Sequence, residues 1–166
     1  MRWRLADRFD PTGAAIADRH YPRQTVGSPQ FVKPGRCLVL VTPDSSKDQG
    51  VLWVTSWPEF AGHEWAGAWE CAVFRNEMPD VYLSSELILE AVAATRWKFG
   101  EPPPLGMVTF VNPDEVRKKR DPGRCFIRAG FVFVGTTKVR KRLAFQLVPE
   151  RMPEPHEPLW ADRVLV

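Results

Sequence analysis

Val73-Phe74-Arg75-Asn76-Glu77, the run Ser84-Ser85-Glu86 to Phe99, and Met107-Val108-Thr109-Phe110-Val111-Asn112-Pro113-Asp114 decide the fold. The first segment ends an apolar run in polar residues. In the second, Leu87, Ile88, Ala91, Val92, Thr95 and Phe99 recur at helical spacing and draw one apolar stripe. Ser84 or Ser85 suits the N-cap, and Glu86 in the first turn suits the helix dipole. Gly100 and Pro102 to Pro104 stop the helix. Met107 to Val111 is apolar throughout, as in a strand covered on both faces, and Asn112-Pro113-Asp114 ends it. The unit reads as strand, crossover helix, strand, with polar residues at its joints.

Downstream, Pro122 to Ala129 reads as a short helix, and Gly130 turns the chain into a strand, Phe131 to Gly135. Lys138 to Arg142 is a basic connection to a last strand, Leu143 to Val148. From Pro149 the prolines at 153, 155 and 158 make an irregular tail whose apolar end, Leu159-Trp160 and Val164-Leu165-Val166, is suited to docking. Upstream, residues 1–13 are polar and end in a turn signal, Asp10-Pro11-Thr12-Gly13. Ala14 to Arg19 gives one or two helical turns, closed by His20-Tyr21-Pro22. A breaker-rich loop leads to two strands, Cys37 to Val41 and Val51 to Ser56. The loop after Trp57 carries Phe60, His63, Glu64 and Trp65, aromatics suited to packing on the core, with a surface for flat ligands as the alternative. Ala68 to Phe74 is the third strand.

The order predicts a single α/β (α+β) domain over residues 1–166, with a mixed, mostly antiparallel sheet flanked by helices. Its core spans about 14–148, and 149–166 is the tail. At 166 residues the chain is long enough to bury a substantial core. No run approaches the ~20 apolar residues of a membrane span, and Met1 to Arg8 lacks a signal peptide's apolar core, so a cytoplasmic protein is expected. The three cysteines are odd in number and far apart, unlike a disulfide framework or a zinc motif. Cys37 and Cys71 read as buried small hydrophobes.

The net charge of +3 is mild but clustered. Arg117-Lys118-Lys119-Arg120 is followed by Arg124 and Arg128, and Lys138, Arg140, Lys141 and Arg142 form a second group. Such loops suit phosphates, so nucleic acid is a candidate partner, with a solvated loop as the alternative.

The order of elements resembles the GNAT acyltransferase fold over roughly residues 14–148. Arg124-Cys125-Phe126-Ile127-Arg128-Ala129-Gly130-Phe131 looks like that family's late helix running into its Gly-Phe strand. Within the fold, the chain is similar to the phage Mu Mom-type DNA modification proteins. The shared features are His20-Tyr21 after the first helix, Glu70 and Arg75-Asn76 on a strand, Ser84-Ser85-Glu86 opening a helix, and Phe110-Val111-Asn112 before an Ala-Gly-Phe. The resemblance implies an enzyme that adds a small acyl-derived group to the N6 amine of adenine in double-stranded DNA, as an anti-restriction device.

Departures from the family refine this. The glycine-rich pyrophosphate loop of ordinary GNAT enzymes is replaced by Met78 to Ser85, which argues against acetyl-CoA and leaves the donor open. Phe126 stands where a tyrosine commonly acts as general acid, and Tyr21 is the substitute. Mom-type proteins carry an acid at the later strand's end; here Asn112 stands there, with Asp114 two residues on.

The resemblance and the polar joints together nominate His20, Tyr21, Asn112 and Asp114 as the catalytic group. Arg75, Asn76, Ser84 and Ser85 are the candidates for holding a cofactor. Arg117, Lys118, Lys119, Arg120, Arg124 and Lys141 are the candidates for DNA. The resemblance allows iron, with His20 and Cys125 as candidate ligands. For Asn112-Pro113-Asp114 and the two serines, turn and cap chemistry are the competing readings. His63-Glu64 and His156 lack metal spacing and read as surface residues. An ordinary N-acyltransferase and a non-catalytic nucleic-acid-binding module are the alternative functions. A homodimer is compatible with all of these.

Overall fold

The computed structural model describes residues 1–20, 27–59, 61–114 and 121–160. One seven-stranded sheet organises them. Its strands are β1 (Arg4–Ala6), β2 (Arg36–Val41), β3 (Val51–Trp57), β4 (Trp69–Asn76), β5 (Met107–Val111), β6 (Val132–Thr136) and β7 (Leu143–Leu147). The helices are α1 (Pro11–Asp18), α2 (Ser84–Phe99) and α3 (Arg124–Arg128), and a short 3-10 turn follows at Pro149–Arg151. The spatial order is β1-β2-β3-β4-β5-β7-β6. Every pairing is antiparallel except β4 with β5, which α2 joins as a crossover. The mixed, mostly antiparallel sheet expected from the sequence is therefore present.

The sheet separates two layers of apolar packing. On one face, α2 and α3 bury Leu87, Ile88, Val92 and Phe126 against Leu38, Trp53, Trp69 and Met107. On the other, α1 packs Ile16 and Ala17 with Val32 against Val39, Leu52 and Val54. Polar atoms in the first layer are satisfied in series. The buried Trp53 indole donates to Thr55 Oγ1 at 2.7 Å. Thr55 and Thr95 hydroxyls meet at 2.8 Å, and Thr95 donates on to the Ala91 carbonyl at 2.8 Å.

Three readings at the chain ends are corrected. Residues 1–13 contain a strand, β1, because Trp3 is fully buried and its indole donates to the Leu87 carbonyl at 2.8 Å. Asp10-Pro11-Thr12-Gly13 is the start of α1, not a free turn. Asp10 caps it by accepting the Gly13 N–H at 2.9 Å, and Pro11 occupies the first turn, where its missing N–H costs nothing. The tail is irregular but docked. Arg96 donates to the Pro153 carbonyl, the His156 N–H to the Ala93 carbonyl, and Leu159 bridges to Arg4 at the β1 edge. The expected docking of Leu159 is met there, while Val164 to Val166 lie outside the described residues.

The end of β4 is tied to α1 by a carboxylate knot. Glu77 receives Arg19 at 2.7 Å, Arg75 at 2.8 Å and the Gly50 N–H at 2.9 Å. The Arg19 bond above all, with help from Arg75 and Gly50, holds the Glu77 carboxyl at about 2, against an ordinary 4.5 and against the opposing effect of burial. A depressed carboxyl stabilises the fold above its unfolded value, and that stability is lost as pH falls through its folded value. A shift of this size corresponds to about 3 kcal/mol, which solvent screening of the two partly exposed arginines reduces to about 1–2 kcal/mol. Glu77→Gln should therefore lower the melting temperature at neutral pH. It should also flatten the melting temperature's fall between pH 4.5 and 2, as followed by circular dichroism. An unchanged pH profile would show that the knot does not support the fold.

Candidate active site

The parallel pair β4 and β5 bonds over three residues only, Trp69 to Cys71 opposite Met107 to Thr109. Beyond that point β4 continues along β3 to Asn76, and β5 continues along β7 to Val111. A bulge marks the parting. Val54 pairs with Val73 and Thr55 with Cys71, so Ala72 is the additional residue on β4. Bulges bend the strand that carries them and often stand beside functional sites.

Side chains close the end of the shared ladder. Thr109 Oγ1 donates to the Cys71 carbonyl at 3.2 Å, and the Cys71 thiol donates to the Val73 carbonyl at 3.8 Å. Burial raises the Cys71 thiol's pKa, so it stays protonated as a donor and is not a nucleophile.

The parting opens a passage through the sheet. A cavity of about 70 Å³ is lined by His20, Glu70 and Arg142 from the α1 side and by Phe74, Val111 and Phe126 from the α2 and α3 side. It shares His20, Glu70, Ala72 and Arg142 with a larger cavity of about 320 Å³ on the α1 side. That volume falls in the range of small-molecule sites. Segment 28–34, the end of α1 and the β6–β7 connection wall the larger cavity, with Lys33, Arg140 and Arg142 among its lining.

Glu70 stands between the two spaces. Its side chain is 25 % exposed, and burial raises its pKa against the opposing pull of His63, Lys33 and Arg142. A carboxylate whose burial outweighs the nearby cations has a raised affinity for a proton, as a proton acceptor requires. His63 lies 4.0 Å from it, Nε2 to Oε2. His63 Nδ1 accepts the Trp65 N–H at 3.1 Å, so in the neutral ring the proton sits on Nε2, facing Glu70. The ring packs on Phe110 at 4.9 Å and on Trp65 at 6.1 Å. His63 is thus part of the site and not a surface residue. Its signal was the aromatic company it keeps in the loop, which also includes Trp57 packed on Trp69 and Phe99 under Arg36.

The structure brings some of the sequence candidates together and separates others. His20 lines both cavities. Tyr21 and Arg117 to Arg120 lie outside the described residues. Asn112 follows Val111 at the mouth of the passage, and its Oδ1 accepts the Asp114 N–H at 3.0 Å, as in turn chemistry. Asp114 is exposed there. Arg75 is engaged by Glu77. Asn76 donates to the Tyr82 carbonyl and to Ser84 Oγ, and accepts the Met78 N–H. These bonds shape the turn before α2. The N-cap of α2 is Leu83, so neither serine caps it, because Ser84 is drawn to Asn76 instead. Ser85 lies in the helix's first turn. Arg124 and Lys141 are exposed. Among the described residues no three His, Cys, Asp or Glu side chains converge as a metal's donor set. His20 lies in the cleft, whereas Cys125 packs on the α2-side core.

No helix among the described residues is long and apolar enough to cross a membrane. Comparison with protein-family models, with curated proteins and with solved structures finds no match.

The closure of the ladder is testable. Thr109→Val keeps the shape but leaves the Cys71 carbonyl without its hydroxyl donor. Urea denaturation should show a loss of about 1–2 kcal/mol. A neutral substitution would mean that the parting strands need no such closure.

Proposed function

We propose that this chain is a GNAT-like transferase that adds a small acyl-derived group to the exocyclic N6 amine of adenine in DNA. The observation that carries the reading is the cavity at the parting of β4 and β5, which reaches from the α1-side cavity to Phe74, Val111 and Phe126, with Glu70 between the two spaces. A transferase must bring two reactants to one point, and a gap through a sheet lets them approach from opposite sides. The larger, cationic cavity on the α1 side suits the polyanionic acceptor. The apolar walls of Phe74, Val111 and Phe126 suit the donor.

In this reading the N6 lone pair forms a bond to the donor's carbonyl carbon. The bond from that carbon to its leaving group breaks. The N6 proton passes to the Glu70 carboxylate and is delivered to the leaving group, so Glu70 ends unprotonated. His63 holds the carboxylate's position, and His20 lies within the same space to order the acceptor. Arg124 and Lys141, with the basic run at 117–120, would add phosphate contacts along the duplex. The donor is an activated acyl compound, and the missing glycine-rich loop before α2 speaks against acetyl-CoA.

Mass spectrometry of nucleosides from the DNA of expressing cells tests the reading. A mass increase on deoxyadenosine is expected, lost by at least about a hundredfold in Glu70→Gln. Unmodified deoxyadenosine despite abundant folded protein would refute it. Acylation of a small-molecule or protein amine in its place would establish the ordinary acyltransferase.

A further inference from the structure

Arginines in the described structure mostly have partners. Arg2 pairs with Glu86 and Glu90, Arg4 with Asp10, and Arg19 and Arg75 with Glu77. Arg8 donates to the Gly35 carbonyl, Arg96 to the Pro153 carbonyl, and Arg36 lies 3.8 Å over the Trp57 ring. Arg142 has no such side-chain partner among the described residues. It is half-buried, and its Nε is sealed from solvent and donates to nothing. Glu70 feels its charge, yet among the described residues neither Glu70 nor any other carboxylate lies within ion-pair distance of it. Leaving a guanidinium partly desolvated without a counter-charge is costly. The cost is offset when an anion enters.

Two further cations line the same cavity. Lys33 reaches it from the segment after α1, and Arg140 from the same connection as Arg142. Neither makes an ion pair among the described residues. Among the described residues, the cavity's one carboxylate, Glu70, lies at its junction with the passage. Three cations without an ion-pair partner among the described residues, around a space of about 320 Å³, select an oxyanion large enough to accept several donors. A phosphate meets a guanidinium's fork of N–H groups in this way.

We propose that this cavity is a phosphate site, in which Arg142, Arg140 and Lys33 hold one phosphate group of a nucleotide beside Glu70. The phosphate chemistry follows from the cavity alone. Assigning it to the DNA backbone, next to the nucleotide that presents its amine, rests on the function proposed above. Arg142 is then a positioning residue. It fixes the sugar-phosphate, so that the attached base enters the passage towards Glu70. This differs from the exposed Arg124 and Lys141, whose contacts add affinity without registering a particular nucleotide.

Calorimetric titration of the full chain provides the test, with deoxyadenosine, deoxyadenosine 5′-monophosphate, inorganic phosphate and a short duplex as probes. The monophosphate should bind at least about tenfold more tightly than deoxyadenosine. Arg142→Gln should abolish most of that difference. Lys33→Gln, at an exposed position that spares the fold, should reduce it several-fold. Lys98→Gln, on α2 across the sheet, should leave it unchanged. Equal binding of nucleoside and nucleotide, or equal effects of the Arg142 and Lys98 variants, would overturn the site. Duplex binding tighter than monophosphate, and weakened by Arg142→Gln, assigns the phosphate to the backbone. Inorganic phosphate binding as tightly as duplex would overturn that assignment. Phosphate binding without modified deoxyadenosine in cells would refute the function and spare the site. Modification unaffected by Arg142→Gln would do the reverse.

Discussion

Two neighbouring parallel strands that hydrogen-bond over three residues and then part are the constraint on which the rest depends. Parallel strands need a crossover, and α2 supplies it by burying Leu87, Ile88 and Val92 against the sheet. Parting frees backbone groups inside the protein, and buried backbone groups must be paired. The Thr109 hydroxyl and the Cys71 thiol pair two of those carbonyls. The bulge at Ala72 sets β4 on its course along β3. Gly106, at φ +71, brings β5 so close to β7 that a Cβ there would lie 2.1 Å from the Leu147 carbonyl oxygen. The bulge and the two side-chain bonds thus shape the gap where the strands part.

Two carboxylates of the β4 region show how environment divides structural from chemical work. Glu77 is surrounded by donors at hydrogen-bond distance, and its pKa falls. Glu70 has cations nearby but none in bonding contact, so burial dominates and its pKa rises. The first carboxylate is committed to the fold. The second keeps its proton affinity available. The arginines divide in the same way, with Arg19 and Arg75 bound into the knot and Arg142 left beside the cavity without a counter-charge among the described residues.

Much of the fold was legible because apolar periodicity reports burial directly. The stripe on α2 and the apolar runs of β2, β3 and β5 are such signals. β1 was not legible. It is short, flanked by arginines, and made a strand by Trp3, whose burial depends on α2 far along the chain. Asp10-Pro11 reads equally as turn or helix start, and only the apolar residues facing the sheet decide it. The site was legible in part. His20 reached the cleft, whereas Arg75 and Asn76 proved to bind their own neighbours. The local sequence could not choose His63 or Arg142, because both acquire meaning from Glu70. That residue meets them through a loop return and a sheet crossing, respectively. Lys138 to Arg142 was recognisably basic, but the pairing of β6 with β7 selects which of its residues face the cavity.

The central claim is that Glu70 is a desolvated proton acceptor at a gap between strands. Carbon-detected NMR titration of its carboxyl, assigned against Glu70→Gln, measures this directly. The midpoint should lie above the ordinary 4.5, because burial outweighs the nearby cations. It should rise further in Arg142→Gln, which removes one of those cations. A midpoint at or below the ordinary value, unmoved by Arg142→Gln, would contradict the account.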